Sequence, residues 1–592
     1  MPARIEDYAL VGDGETAALI GRDGSVDWLC WPRFDSDACF AALLGFTNNG
    51  RWLIAPDGDD EVRVSRRYQP DTLVLETDFA TAAGAVRVID FMPLRRGSSA
   101  LCRLVIGLRG RVAMRLHLRL RFGYGLIQPW MQPCEGGHVA RCGPDQVMLR
   151  GAVPARMDDH DLVAAFTVEA GQRLDFVLSY AASHDELPAS FDAGQALTAT
   201  AAFWRDWIGK FDKPTHWPDA TRRSLITLKA LVNRPTGGLV AAPTTSLPEQ
   251  PGGKLNWDYR YCWLRDATFT VAALLNAGYH DEARRWRDWL LRAVGAAPRH
   301  IQIMYRLDGG RHLDEWEVNW LPGFNFARPV RVGNSASQQR QTDVFGEVLD
   351  ALDLSDRAGI PPAEQGLAMQ ELLVREIERL WREPDQGLWE SRGEPRHHTY
   401  SVVMAWVGVD RFLRGAAVRA GRVEPATVQR LSAVRAEIHA QVCAAGFHPG
   451  RGTFVGHFGG EALDASLLLL PLVGFLPADD PRIAATIAAI ERELMQGGLV
   501  LRQPTGNREP QGAFLACSFW LADCRAMQGR TTAAREAFER ALEVRNDVGL
   551  LSEEYNVRGR HLAGNFPQAL THLALVTSAL GLSGPVLQRG GG

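Results

Sequence analysis

The hydrophobic period of this chain changes once, and that single change limits what it can fold into. From Arg4 to about Ser183 apolar residues come in short runs, several alternating with polar ones, as in Arg115–Phe122 (RLHLRLRF). From about Trp217 onward they recur at helical spacing, as in Leu225, Leu228 and Val232, or Ala534, Ala537, Ala541 and Val544. A period of 2 lines one face of a strand and a period of 3.6 lines one stripe of a helix. The chain therefore reads as a multi-domain β + α protein, with the β unit first.

The β-rich runs are separated by Gly, Asp, Asn and Pro at intervals of about 8–12 residues, the rhythm of an antiparallel sandwich. This reading gives an N-terminal antiparallel β-sandwich over 1–193 and a linker over 194–216. The linker includes an amphipathic helix at Ala196–Phe211. A helical domain then occupies 217–592. Twelve helices are expected there, at 218–234, 266–277, 280–295, 341–358, 366–382, 399–420, 425–446, 462–474, 479–496, 511–528, 531–545 and 566–581. No 34- or 40-residue repeat of roughly solenoid length recurs. Twelve helices in alternating pairs suit a closed ring of six hairpins, an (α/α)6 barrel or toroid.

The segments richest in Gly, Trp, Arg, Asn and acids precede the even-numbered helices: NWDYRYCWLRD, WLPGFNFARPVRVGN, GLWESRGEPRHH, GHFGGEALD, TGNREPQG and LSEEYNVRGRHLAGN. Even helices of an alternating ring share one direction. These six loops should gather at one end, with positive helix N-termini aimed at the same region. Of seventeen tryptophans, Trp257, Trp263, Trp316, Trp320 and Trp389 fall in those loops, while Trp406 and Trp520 lie within helices and are expected in the core.

Composition removes several classes of function. Lys and Arg number 65 against 69 Asp and Glu, so neither nucleic acid nor an anionic membrane is an expected partner. Nine scattered cysteines without a CxxC pair speak against a disulfide framework or structural zinc. The charged N-terminus lacks a secretory signal's apolar core, and the longest apolar run, ASLLLLPLVGF, is too short to span a bilayer. A soluble, cytoplasmic protein is expected. Adjacent His397 and His398 lack metal-site spacing, and no HExxH, Walker A, dinucleotide or GxSxG motif occurs.

What remains is carboxylate chemistry. Glu390, after Trp389 in GLWES, and Glu553, in LSEEYN, sit in apolar or aromatic flanks within the gathered loops. Cleavage of a glycosidic bond needs one protonated carboxyl for the leaving oxygen and one carboxylate for water or carbon. Trp389 beside Glu390 offers an apolar wall that would raise its pKa. Taken singly, each of these acids is more often a helix cap or a salt-bridge partner. Arg265 and Asp266 could clasp sugar hydroxyls, or Asp266 could cap a helix with Arg265 in a structural ion pair. Tyr259, Trp263, Trp316, Trp320 and Trp389 could stack on a sugar or pack the core.

NWDYRYCWLRDATF, ARPVRVGN, GLWESRGEPRHHT, ALDASLLLLP, SEEYN and GRHLAGNFPQALTHLAL, with the opening IEDYALVGDGETAALIGRDGSVDWLCWPRFDS, together resemble bacterial glycoside hydrolase family 15, the glucoamylase and trehalase family. That resemblance covers nearly the whole chain. It implies a β-sandwich before an (α/α)6 barrel, inversion at the anomeric carbon, a small carbohydrate substrate, and no cofactor or metal. By position it makes Glu390 the general acid and Glu553 the general base. Arg265 and Asp266 would hold the non-reducing glucose, with Tyr259, Trp263, Leu388 and Trp389 beside them.

Inversion implies carboxyl groups roughly 6.5–9.5 Å apart. Ser391, Val402 and Asn556 depart from the family pattern and bear on the outer subsite. The expectation is an inverting exo-acting α-glucoside hydrolase releasing β-D-glucose, with trehalose favoured as substrate. Glucoamylase or glucodextranase activity on α-1,4- or α-1,6-linked gluco-oligosaccharides is the alternative, and a non-catalytic carbohydrate-binding toroid the reading from another class. Self-association into a homo-oligomer stays open.

Overall fold

The computed structural model describes residues 2–58, 61–295, 298–360, 364–504 and 512–587. Apart from Gly512, the loop TGNREPQG lies outside the described residues. The β unit holds fifteen strands between Tyr8 and Ala182 among those described. One long strand, Ser99–Arg119, runs through both of its layers. Its first half pairs antiparallel with Arg173–Ala182 and with Gly84–Phe91. Its second half pairs with Asp161–Glu169 and with Arg51–Pro56.

Along that second half Val112, Met114, Leu116 and Leu118 are buried while Arg111 and Arg115 are exposed, as the alternation predicts. The strand changes layers at Gly107–Gly110. Gly110 has φ +65°, and a Cβ there would stand 2.2 Å from the Ala83 carbonyl oxygen. Only glycine allows that corner.

A linker helix, Ala193–Ile208, follows. It starts earlier than its hydrophobic stripe suggests, because the Asp192 carboxylate accepts from the Gly194 and Gln195 amides at 2.7 and 3.0 Å. All twelve expected helices then appear. They are α1 (Pro218–Leu231), α2 (Leu264–Asn276), α3 (His280–Val294), α4 (Asp343–Arg357), α5 (Glu364–Leu380) and α6 (Thr399–Arg414). Next come α7 (Pro425–Ala445) and the short α8, a 3-10 turn Ala465–Leu468 running on into Leu469–Leu472. The last are α9 (Pro481–Glu493), α10 (Leu515–Met527), α11 (Thr531–Leu542) and α12 (Ala569–Gly581). The sixth ends earlier than expected because Gly415 is extended, at φ −62° and ψ 158°.

Burial separates the helices into two rings. In α4 every residue from Asp343 to Ser355 is buried, whereas α7 buries only Leu431, Ile438 and Val442. Even helices form the inner ring: α2 packs on α4, α4 on α6, α6 on α8, α8 on α10, α10 on α12, and α12 back on α2. Buried polar links brace it, among them Arg411 on α6 with Asp350 on α4 at 2.7 Å. The chain is thus a β-sandwich followed by an (α/α)6 barrel. Among the described residues no helix is long and apolar enough to cross a membrane.

The two units are joined at the loop before α2. Arg260 is fully buried and paired with Asp258 at 2.7 Å. Its remaining N–H groups donate to the Ser36 carbonyl at 2.7 Å and the Tyr124 hydroxyl at 2.9 Å, both in the β unit. Trp28 donates to the Pro243 carbonyl at 2.8 Å. The sandwich therefore grips the backbone immediately beside Tyr259.

Candidate active site

The loops ahead of the even helices are cross-bonded at one end of the ring. Before α2, Tyr259 donates its hydroxyl to Glu553 Oε1, in the loop before α12, at 2.5 Å. Trp263 Nε1 donates to Glu390 Oε1, in the loop before α6, at 2.5 Å. The Tyr259 and Trp263 rings are 5.2 Å apart. Each glutamate is thus bonded to one ring of a single aromatic pair, which brings together two carboxyl groups far apart in sequence. Gln339, before α4, donates to the Glu390 carbonyl at 3.2 Å. Trp389 Nε1 donates at 2.8 Å to Asp464, before α8.

Glu390 is held in an unusual backbone state. Its φ is +57°, in the left-handed region, within a turn closed by Glu390 N to Gly387 O at 3.1 Å and Ser391 N to Gln386 O at 3.1 Å. Non-glycine residues occupy that region at a cost of about 1–3 kcal/mol, and such strain clusters at functional positions. Burial raises the Glu390 carboxyl above the usual range, against the opposing pull of the Arg265 guanidinium and the Trp263 N–H.

Glu553 is positioned by a three-stranded sheet of Ala513–Phe514, Glu554–Asn556 and His561–Ala563. Its amide donates to Asn565 O at 3.2 Å and its carbonyl accepts from Leu515 N at 3.1 Å. Oε2 is buried with no partner among the described residues. Gly564 lies against it, with φ +73° and an imagined Cβ only 2.5 Å from Oε2.

Beneath Glu553 the guanidinium of Arg502 binds Glu249 and lies 2.7 Å from Glu554 Oε1. Two buried carboxylates thus share one cation, whose charge also acts on Glu553. Burial raises Glu553, with Glu249 adding to the effect and Arg502 and the Tyr259 hydroxyl opposing it. Burial drives Glu554 well above the usual range despite Arg502.

Arg265 joins the remaining parts. It donates to Asp266 Oδ1 at 3.1 Å, to the Leu388 carbonyl at 2.8 Å and to Glu390 Oε1 at 3.4 Å. Among the described residues Asp266 makes no capping bond. Its Oδ2 is buried and has no partner among the described residues. Burial raises its carboxyl against Arg265. Leu388 enters through its backbone, and its side chain is buried.

Trp389 does not wall Glu390 as the sequence suggested. Its indole N–H is committed to Asp464 and its ring stacks on Trp520 at 6.3 Å. The indole that meets Glu390 is Trp263. Trp316 and Trp320 lie at the junction with the β unit. Trp316 meets the Tyr124 ring at 6.0 Å, and Trp320 donates to the Tyr124 carbonyl at 3.0 Å. The guanidinium groups of Arg331 and Arg392 each lie 4.5 Å from the ring centre of Trp257. Val402 is buried in α6, and Asn556 accepts from Gly559 N at 2.8 Å to close its own turn. Arg502, Glu249, Glu554 and Asp464 were missed as site residues, although SEEYN and ALDAS had marked the positions of Glu554 and Asp464.

A carboxyl pair mounted on aromatic donors at the mouth of an (α/α)6 ring defines an O-glycosyl hydrolase. Residues 218–580 match the profile of glycosyl hydrolases family 15, and residues 1–195 match that of a trehalase-like N-terminal region. The chain belongs to glycosyl hydrolases family 15. It is 38% identical to a trehalase of Mycolicibacterium smegmatis, across 97% of this chain and 91% of that protein. It is 37% identical to a trehalase of Mycobacterium tuberculosis, across 97% and 89%. A bacterial glucoamylase solved with acarbose shares the fold, with a TM-score of 0.74 at 12% identity, covering 99% of this chain and 95% of that one.

Proposed function

We propose that this protein is an inverting, exo-acting trehalase. Glu390 gives its proton to the oxygen bridging the two glucose units. Glu553 accepts a proton from the water that attacks the anomeric carbon from the opposite face. Oε2 of Glu553, the oxygen without a partner among the described residues, is the one left to take that proton. The attacked glucose leaves as the β anomer and the other as the α anomer, with one water consumed. Arg265 and Asp266 hold the non-reducing glucose, Asp266 through its unpaired Oδ2.

The observation that carries the assignment of acid and base is the mounting of Glu390 and Glu553 on the two rings of one aromatic pair. The choice of trehalose rests on the trehalases that this chain resembles over nearly its full length. The test is glucose release from trehalose, maltose, isomaltose and maltotriose, with proton NMR of the fresh product. Trehalose should be turned over best, giving equal β and α anomers. Preferred cleavage of maltotriose or isomaltose would overturn the substrate, and an all-α product would overturn inversion. Glu390→Gln and Glu553→Gln should each lower kcat by several powers of ten, and near-normal turnover by either variant would remove its assigned role.

A further inference from the structure

At the end of the ring away from the carboxylates lies a cavity of about 490 Å³. Pockets that hold small ligands span about 300–1,000 Å³. Its walls run from mid-helix Phe269 on α2 and Trp520 on α10 to Asp523 on α10 and Thr577 on α12, and on to Asn276, Met527 and Gly581 at or next to the C-terminal ends of these inner helices. Tyr259, Trp263, Arg265 and Asp266, by contrast, stand at or before the N-terminus of α2. The segment Gly584–Leu587 closes one side of the cavity. Asn276 pins it, accepting from Leu587 N at 2.7 Å and donating to Leu587 O at 3.3 Å.

The lining is mostly apolar, and its polar atoms are not completed by the protein. Asp523 accepts a hydrogen bond from Ser578 Oγ at 2.8 Å. Trp520 Nε1 and Thr577 Oγ1 are buried with no partner among the described residues. No Lys, Arg or His stands among the described lining residues. Burial pushes the Asp523 carboxyl up to about 7, against the pull of the Ser578 hydroxyl. Helix C-termini add the negative ends of their dipoles at this end of the ring. The Phe269 and Trp520 rings, stacked at 5.9 Å, offer the kind of π surface that attracts cations.

We propose that this cavity binds a small organic ammonium cation, its apolar body on the ring and aliphatic walls and its N–H groups donating to Asp523 and Thr577. A neutral alcohol would leave the acid without a counter-charge, and a carboxylate would oppose it.

Calorimetric titration of the full chain with n-hexylammonium, 1-hexanol and hexanoate, at about pH 8 and in saturating glucose, separates these ligands. Hexylammonium should bind about thirtyfold more tightly than hexanol, and hexanoate should not bind. Asp523→Asn should reduce hexylammonium to the affinity of hexanol while leaving trehalose turnover intact. Ala526→Phe, which fills the cavity from α10, should abolish binding of both. Equal affinities for hexylammonium and hexanol, unchanged binding by either variant, or displacement of hexylammonium by glucose would overturn the proposal.

Discussion

Replacing Tyr259 by Phe removes one hydroxyl and leaves its ring beside Trp263. That hydroxyl donates to Glu553 Oε1 at 2.5 Å, favouring the ionised form of the base. Without it, Glu553 binds its proton more tightly and its pKa rises. A base must be ionised to act, so the acidic limb of kcat/KM should move to higher pH. A hydrogen bond to a charged group is worth about 1.5–3 kcal/mol, and about 1.36 kcal/mol corresponds to one pH unit. Arg502 still faces the carboxylate and water can enter the vacated space, so the lower end applies, a shift of about one unit. The alkaline limb should not move.

Trp263→Phe supplies the mirror measurement, because Trp263 donates to Glu390 and not to Glu553. Loss of that donor raises Glu390, and an acid that keeps its proton longer extends activity upward in pH. The alkaline limb should then rise and the acidic limb stay. Since burial already raises both glutamates, both limbs of the parent profile should lie above the ordinary carboxylate range near about 4.3. Activity profiles on trehalose from about pH 3 to 10 decide the matter. If Tyr259→Phe moved the alkaline limb, or lowered kcat equally at every pH with neither limb displaced, the base would not be Glu553.

Three further outcomes follow from packing and charge. Gly564→Ala should lower kcat about a hundredfold with little loss of far-UV signal, because its methyl would displace the base it touches; unchanged turnover would show that the contact relaxes freely. Arg502→Met leaves Glu249 and Glu554 without their shared cation and should destabilise the fold by about 3–5 kcal/mol in urea unfolding. Arg260→Met breaks the buried pair with Asp258 and the bonds to Cys30, Ser36 and Tyr124 of the β unit. It should lower kcat/KM through the Tyr259 loop and reduce stability by a similar amount, about 3–5 kcal/mol.

The order of helices, their alternation and the gathering of the even loops were all legible because they follow from local periodicity and chain direction. Helix ends were less so. They depend on single groups, such as the Asp192 carboxylate or the extended Gly415, that a hydrophobic stripe does not register. The cluster of Arg502 with Glu249, Glu553 and Glu554 was not legible as a unit. Its members are contributed by three loops, and only ring closure decides which carboxylates share a cation.

Trp389 shows the same limit at one residue. Adjacency to Glu390 suggested an apolar wall that raises the acid's pKa. Because Glu390 adopts a positive φ, its side chain parts company with that of Trp389, whose indole serves Asp464 and Trp520 instead. The tryptophan that does meet Glu390 comes from the loop before α2 and donates to it, which lowers the pKa. The raised value therefore comes from burial by the closed ring, and the aromatic contact restrains it. An acid tuned in this way should respond in opposite directions to its two surroundings: opening the pocket to water should lower its pKa, and removing Trp263's N–H should raise it.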